Sequence, residues 1–347
     1  MTLRQSLQES EGPPLGPVVS GAGSGAVSLL NEPVSLVTPS PDPLVTPGGV
    51  LVHENGPLLG PVERTWVAPH DAINILASNP SNWSPEGAPQ PGDTLDMQNG
   101  QMQISGYDLR GDPLNLGNGW DQTRQLLELN NQATIQLNVL PNATTTVDVD
   151  GVAYVDLVAN GAAINFNLNP GASVQTKSFD LENSTSQVNG GMAFLNTGDV
   201  WVHDSSLLVN SDLEGTGKVH VTSDSSQSSV ELLKSVSTGQ SFDVDGNPSA
   251  LEPAKLKIDD PKAFDGTVNL DYAKTVLVGL QADSYSFKDD LLSVYFKGTV
   301  VDTLKLHSPS SFGGQDLHLS VYATGTGVLV DNSGLGGTDG VLLPQMS

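Results

Sequence analysis

Gly215-Thr216-Gly217-Lys218-Val219, Gly266-Thr267-Val268-Asn269-Leu270, Gly298-Thr299-Val300 and Gly325-Thr326-Gly327-Val328-Leu329 are variants of one phrase. Each sets glycine, which bends the backbone without steric cost, before β-branched and aliphatic residues that favour strands. A short bend-and-strand unit used again and again suggests a coil of many similar β turns, not a globule with helices.

The segments around these phrases carry the same reading. Thr134-Ile135-Gln136-Leu137-Asn138-Val139, Ile164-Asn165-Phe166-Asn167-Leu168, Val200-Trp201-Val202-His203, Lys218-Val219-His220-Val221 and Lys255-Leu256-Lys257-Ile258 alternate apolar and polar residues. That period of two marks half-buried strands. Turn formers stand between them, such as Asn160-Gly161, Pro170-Gly171 and Asn189-Gly190-Gly191. Helices long enough to link the strands of an α/β sheet are missing, which leaves a sandwich, a barrel or a β-helix. Short, numerous, similar strands without long connections favour the β-helix. The expected fold is all-β: a right-handed parallel β-helix with a short helical N-terminal cap and an extended Pro-rich arm.

Composition sharpens this. Apolar residues make up 37% of the 347-residue chain and aromatic residues 5%, as suits a narrow aliphatic column. Fourteen basic and 39 acidic residues give a net charge of −25, which excludes a basic nucleic-acid footprint and sets the chain against anionic lipid surfaces. With no cysteine, there is no disulfide, thiolate nucleophile or cysteine-bound metal. No apolar run is long enough to span a bilayer. Met1–Gln5 is not followed by an apolar stretch of the signal-peptide kind, since Val18–Leu30 is rich in Gly and Ser. Export, if it occurs, is expected without a visible classical signal peptide.

Fifteen of the 23 prolines precede residue 93. Residues 1–62 read as an extended Pro/Gly-rich arm, 63–92 as a capping segment and 93–347 as the β-helix. In the arm, Leu36-Val37-Thr38-Pro39 is echoed by Leu44-Val45-Thr46-Pro47, and Gly56-Pro57-Leu58-Leu59 repeats an earlier Gly-Pro-Pro-Leu. Leu36, Val37, Thr38, Leu44, Val45, Thr46, Leu58 and Leu59 are candidate docking residues for a neighbouring copy, by strand addition. Asp71–Ala77 is the best helix candidate, with Trp66, Ile73, Leu76 and Ala77 on one face.

Trp83-Ser84-Pro85 through Pro91-Gly92-Asp93-Thr94-Leu95 resembles the opening of β-helical domains in bacterial surface and secreted proteins. Phe264-Asp265-Gly266-Thr267-Val268-Asn269-Leu270 is similar to the coil phrase of autotransporter-like passenger domains. The resemblance implies the β-helix fold over residues 80–335 and a place outside a bacterial cell, and it implies no particular activity.

Few residues point to chemistry. Asp148-Val149-Asp150-Gly151 and Asp243-Val244-Asp245-Gly246 pair carboxylates as calcium ligands do, although the twelfth-position Glu of an EF-hand is missing from both. Asp148, Asp150, Asp243 and Asp245 are therefore candidate calcium ligands beside the simpler reading of acidic turns. Asp259-Asp260 and Asp289-Asp290 are weaker cases of the same kind. The six histidines lack metal-ligand spacing, and no phosphate-binding loop or nucleophile elbow is present. Trp66, Trp83, Trp120 and Trp201 read as core or cap residues, with stacking on sugars as the other possibility. Glycosidase-like chemistry needs two carboxylates from adjacent coils, which linear order does not reveal. The expected function is a non-enzymatic extracellular structural or adhesive protein, self-assembling through its arm and coil ends. The alternative is a β-helix that binds or cleaves polysaccharide.

Overall fold

The computed structural model describes residues 62–68, 76–89, 93–97, 100–105, 108–116, 124–130, 133–247, 253–307, 319–332 and 341–346. All fall within one compact unit, Leu58–Ser347. The candidate docking residues Leu36, Val37, Thr38, Leu44, Val45, Thr46, Leu58 and Leu59 lie outside the described residues, as do Trp120 and the body of the expected helix, Asp71–Ile75.

The chain forms about seven turns of an all-β parallel solenoid. Alternation is the cause: each polar–apolar pair sends one side chain out and the next into the column, and parallel pairing stacks like on like. Three faces result. The first stacks Thr144–Asp150, Ala163–Leu168, the start of Thr185–His203, Ser206–Asn210, Ser229–Leu232, Lys255–Ile258 and Lys274–Val278. The third stacks the later parts of Thr134–Val139, Val152–Asn160, Ser173–Glu182 and Thr185–His203, followed by Lys218–Ser223, Ser241–Gly246 and Thr267–Asp271. A shorter second face joins Val174, Phe194 and Leu213, continued by single bridges through Val236 to Phe264. Rungs differ in length: Ala163 stands 19 residues beyond its partner Thr144 and Lys255 26 beyond Ser229. This irregularity hides the period from sequence.

Inside, columns of apolar residues run along the axis. Leu116, Val139, Ala159, Leu181, Val202, Val221, Val244 and Leu270 are successive register partners on the third face, and all are buried. Fully burying one Val or Leu contributes about 1.5–3 kcal/mol. Phe166, Phe179 and Phe194 come from the first, third and second faces and meet at 5.7 and 5.6 Å.

The corner between the third and first faces has its own code. A residue with positive φ precedes a small buried residue at Asn142-Ala143, Gly161-Ala162, Asn183-Ser184, Asp204-Ser205 and Tyr272-Ala273. Asn, Asp and Gly tolerate this left-handed bend, and only a small side chain fits beneath it. The serines also bind the layers together: Ser184 Oγ accepts from the amide of Ala162, Ser205 Oγ from that of Ser184, and Ser228 Oγ from that of Ser205.

A second polar stitch lies deeper. Asn196 Nδ2 donates to Gln240 Oε1 at 3.1 Å, two rungs away, and Gln240 Nε2 donates to the carbonyls of Asn196 and Glu214. Between them sits Gly217, where an added Cβ would come within 2.4 Å of Asn196 Cγ.

The two ends of the described unit are built differently. At the start, Glu63–Trp66 pairs parallel with Thr94–Met97 and so belongs to the third face. Trp66 and Trp83 pack edge to face at 5.2 Å, and buried Arg64 binds Asp93 at 2.5 Å. Leu76, at the end of the expected helix, forms a parallel bridge to Gln103, and Ala77 follows in a turn; among the described residues of this region the helical element is the 3-10 turn Pro80–Asn82. At the other end the chain folds back. Ser284–Lys288, Leu291–Phe296 and Thr299–His307 form an antiparallel meander, and Gly327–Asp331 pairs antiparallel with Lys274–Val278. Two of the four glycine-threonine phrases, at Gly298 and Gly325, thus mark hairpins and not coil turns. Asp289-Asp290 and Lys297-Gly298 are two-residue turns with positive φ at both positions, the conformation that reverses a chain into a hairpin.

Candidate functional site

Outward-facing residues on the third face also stack. Val158, Asp180, Trp201, His220, Asp243 and Asn269 are register partners on successive strands. The next outward column reads Glu182, His203, Thr222, Asp245 and Asp271. Strand separation of ~4.8 Å sets the rise between members of a column.

Trp201 is 42% exposed and stacks flat on His220, with centroids 3.8 Å apart and planes within 5°. Of the described tryptophans, Trp66 and Trp83 are buried as expected, and Trp201 is not. His220 is held on both sides, Nε2 3.1 Å from Asp199 and Nδ1 3.6 Å from Asp243. His203 Nδ1 lies 3.2 Å from Thr222 Oγ1, and its Nε2 faces Asp224 at 3.5 Å.

Beside these rings runs an open groove of about 450 Å³, lined by Trp201, His203, Asp224, Asp245, Asp271 and Tyr272 among others. Its residues come from four successive rungs. Asp245 and Asp271 are register partners on neighbouring strands. Burial raises the pKa of Asp245, and repulsion from Asp271, Asp224 and Asp243 adds to it. Burial also raises that of Asp271, against the opposing hydrogen bond from the Tyr272 amide. Asp180, one column over, is raised by burial and by Glu182, with His203 opposing.

One wall of the groove is clamped. Asp204, in the left-handed corner position, points its carboxylate into the loop of the next rung. It accepts hydrogen bonds from the amides of Asp224, Ser225 and Ser226 and from Ser225 Oγ. Burial alone would raise its pKa, but these bonds outweigh it and bring it down to about 2.

The four expected calcium ligands fall on strands and not in turns. Asp148 and Asp150 end the first-face strand Thr144–Asp150, while Asp243 and Asp245 belong to the third-face strand Ser241–Gly246, so the two pairs are not brought together. Asp148 accepts from Asn167 Nδ2. Asp243 accepts from Asn269 Nδ2 and lies 3.0 Å from Lys218 Nζ; burial raises its pKa, but these partners carry the net shift downward. Among the described residues no group of three or more His, Asp or Glu is arranged to hold a metal ion. Of the four, Asp245 alone lines the groove. Trp201, Asp224, Asp271 and Tyr272 were not singled out by sequence as partners, because residues 20 or more positions apart meet only once the register is known.

The arrangement suits a hydroxyl-rich ligand: aromatic rings offer apolar surface, and carboxylates accept hydrogen bonds. Among the described residues no helix is long and apolar enough to cross a membrane. No family model, curated protein or solved structure matches the chain.

Proposed function

We propose that this chain is a non-enzymatic, extracellular adhesive solenoid, of the kind displayed on bacterial surfaces, and that it holds a polysaccharide against its side. The third-face groove carries this reading. It is open, built on rigid strands, and combines Trp201 and Tyr272 with acceptors at Asp224, Asp245 and Asp271. A chain with net charge −25 repels polyanions, so an uncharged glycan is the favoured class. The far end supports side-on contact, because the antiparallel strand Gly327–Asp331 covers the last rung of the first face.

The test is a binding screen of the full chain against soluble neutral and acidic polysaccharides, with Trp201→Ala as the diagnostic variant. Loss of the ring should weaken binding about tenfold, in line with ~1.4 kcal/mol per decade. Absence of binding to any glycan, or full affinity in the variant, removes the proposal.

A second reading is favoured by one observation, the Asp245–Asp271 pair with both pKa values raised. Two carboxylates on adjacent rungs are the minimum for glycoside cleavage. Release of reducing ends, abolished by either Asp→Asn change, would establish cleavage in place of adhesion.

A further inference from the structure

The first face differs from the rest of this acidic surface. Its outward columns Asn165–Gln187–Leu208 and Asn167–Asn189–Asn210 cross three successive rungs. None of these six side chains carries a charge, and all are exposed or half-exposed. The flanking rungs are charged: Asp148 lies below, and Glu231 and Lys257 lie above. In a chain of net charge −25, this leaves a neutral window on a parallel sheet.

The window also keeps much of its hydrogen-bonding capacity. On the third face the outward polar groups are mostly spent on one another: Asn138 donates to Asn115, Asn115 to Asp96, and Asn269 to Asp243. On the first face Asn167 donates to Asp148, and Asn189 reaches Gln187 at 3.4 Å. The side chains of Asn165 and Asn210, with the hydroxyls of Thr185 and Ser206 beside them, make no side-chain hydrogen bond among the described residues. Amides both donate and accept, and here they recur at the strand separation of ~4.8 Å along the axis.

A charged partner finds nothing in this window to pair with, and a polyanion is repelled by the remaining surface. An extended, uncharged, hydroxyl-rich polymer offers donors and acceptors in equal measure and can engage the rungs one after another, so that weak contacts multiply. We infer that the first face is a second contact surface for a neutral polysaccharide, separate from the groove. This rests on the polysaccharide reading above and adds to it a location and a restriction to uncharged chains.

The experiment compares the full chain with Asn165→Asp/Gln187→Glu/Asn210→Asp, with Trp201→Ala, and with Gln175→Glu on the second face as a charge control. Binding to soluble mannan, dextran and xyloglucan is measured at low and high salt. Wild type and the control should bind alike with little salt dependence, and the triple variant should bind at least tenfold more weakly. Asn165→Ala/Asn210→Ala, which adds no charge, should lose several-fold and serves if the triple variant fails to fold. Undiminished binding by the first-face variants alongside a loss in Trp201→Ala overturns this inference and leaves the groove standing. Steep weakening with salt overturns it as well. If the wild-type chain binds none of the three polymers, this inference falls, whereas the groove reading falls only if no glycan of the wider screen binds.

Discussion

Replacing Asn196 by Ala tests whether the polar stitch holds the middle of the solenoid together. Asn196 is fully buried, and its side chain donates to Gln240 Oε1 at 3.1 Å and to the Lys218 carbonyl at 3.3 Å, while Oδ1 accepts from the Gly198 amide at 3.1 Å. Truncation leaves Gln240 Oε1 without this partner in the interior and releases the Gly198 N–H at a half-buried position. A buried orphan costs ~1–3 kcal/mol and a half-buried one less, so the expected loss is about 2–4 kcal/mol. Gln240 keeps its two bonds to backbone carbonyls, so adding Gln240→Ala should cost less in the double variant than the singles sum to, with a coupling of about 1–2 kcal/mol. Gly217→Ala should resemble Asn196→Ala, because the new Cβ displaces the amide. Stacked rungs do not unfold as one unit, so the assay is hydrogen exchange of the amides in Leu213–Val219 and Gly239–Phe242, alongside urea unfolding. An Asn196→Ala loss below about 1 kcal/mol, or strict additivity in the double variant, refutes the reasoning.

Three further outcomes follow from the structure. Arg64→Ala leaves Asp93, 3% exposed, without its 2.5 Å partner, and should cost about 3–5 kcal/mol, much of it recovered by pairing Arg64→Met with Asp93→Leu; thermal melts of the singles and the double decide this. Asp204 has a folded-state pKa of about 2 against an ordinary 3.8, so its contribution is present above pH 3.8 and is lost as pH falls through 2. Asp204→Asn should therefore lower stability at neutral pH and flatten the acid limb of the stability–pH curve. Asp245 and Asp271 are shifted the other way: the folded state favours their protonated forms, and stability falls as pH rises from 3.8 through the raised values. Asp245→Asn and Asp271→Asn should each raise the melting temperature at pH 7, and the gain should vanish below pH 3.8; an unchanged or lowered melting temperature at pH 7 counts against the pairing.

Strand rhythm was the legible part. Thr134–Val139 and Lys255–Ile258 alternate along their whole length in sequence and in burial, because a period of two survives any rung length. What followed each bend was not legible. Gly266 leads into the next parallel rung, whereas Gly298 reverses the chain. The preceding residue decides: Lys297 shares the positive φ of Gly298, and two such residues in succession make a hairpin. The corner pairs Asn142-Ala143, Gly161-Ala162, Asn183-Ser184 and Asp204-Ser205 carried a readable signal of their own, an Asx or Gly before a small residue, which uneven spacing obscured. The groove was out of reach of any linear reading, because Trp201, Asp224, Asp245 and Asp271 become neighbours only through parallel register. The same limit applies to the Asp243–Asp245 motif, whose two members face different partners on one strand.

The reversed strands at the far end determine how the stacked layers yield to force. A load entering from that side meets Gly327–Asp331, paired along Lys274–Val278, before it reaches the stacked layers. Once that latch opens, layers strip away singly until the pull arrives at Gln240, whose amide grips three of them at once. A solenoid built in this order gives way in stages, with its firmest grip reserved for the middle.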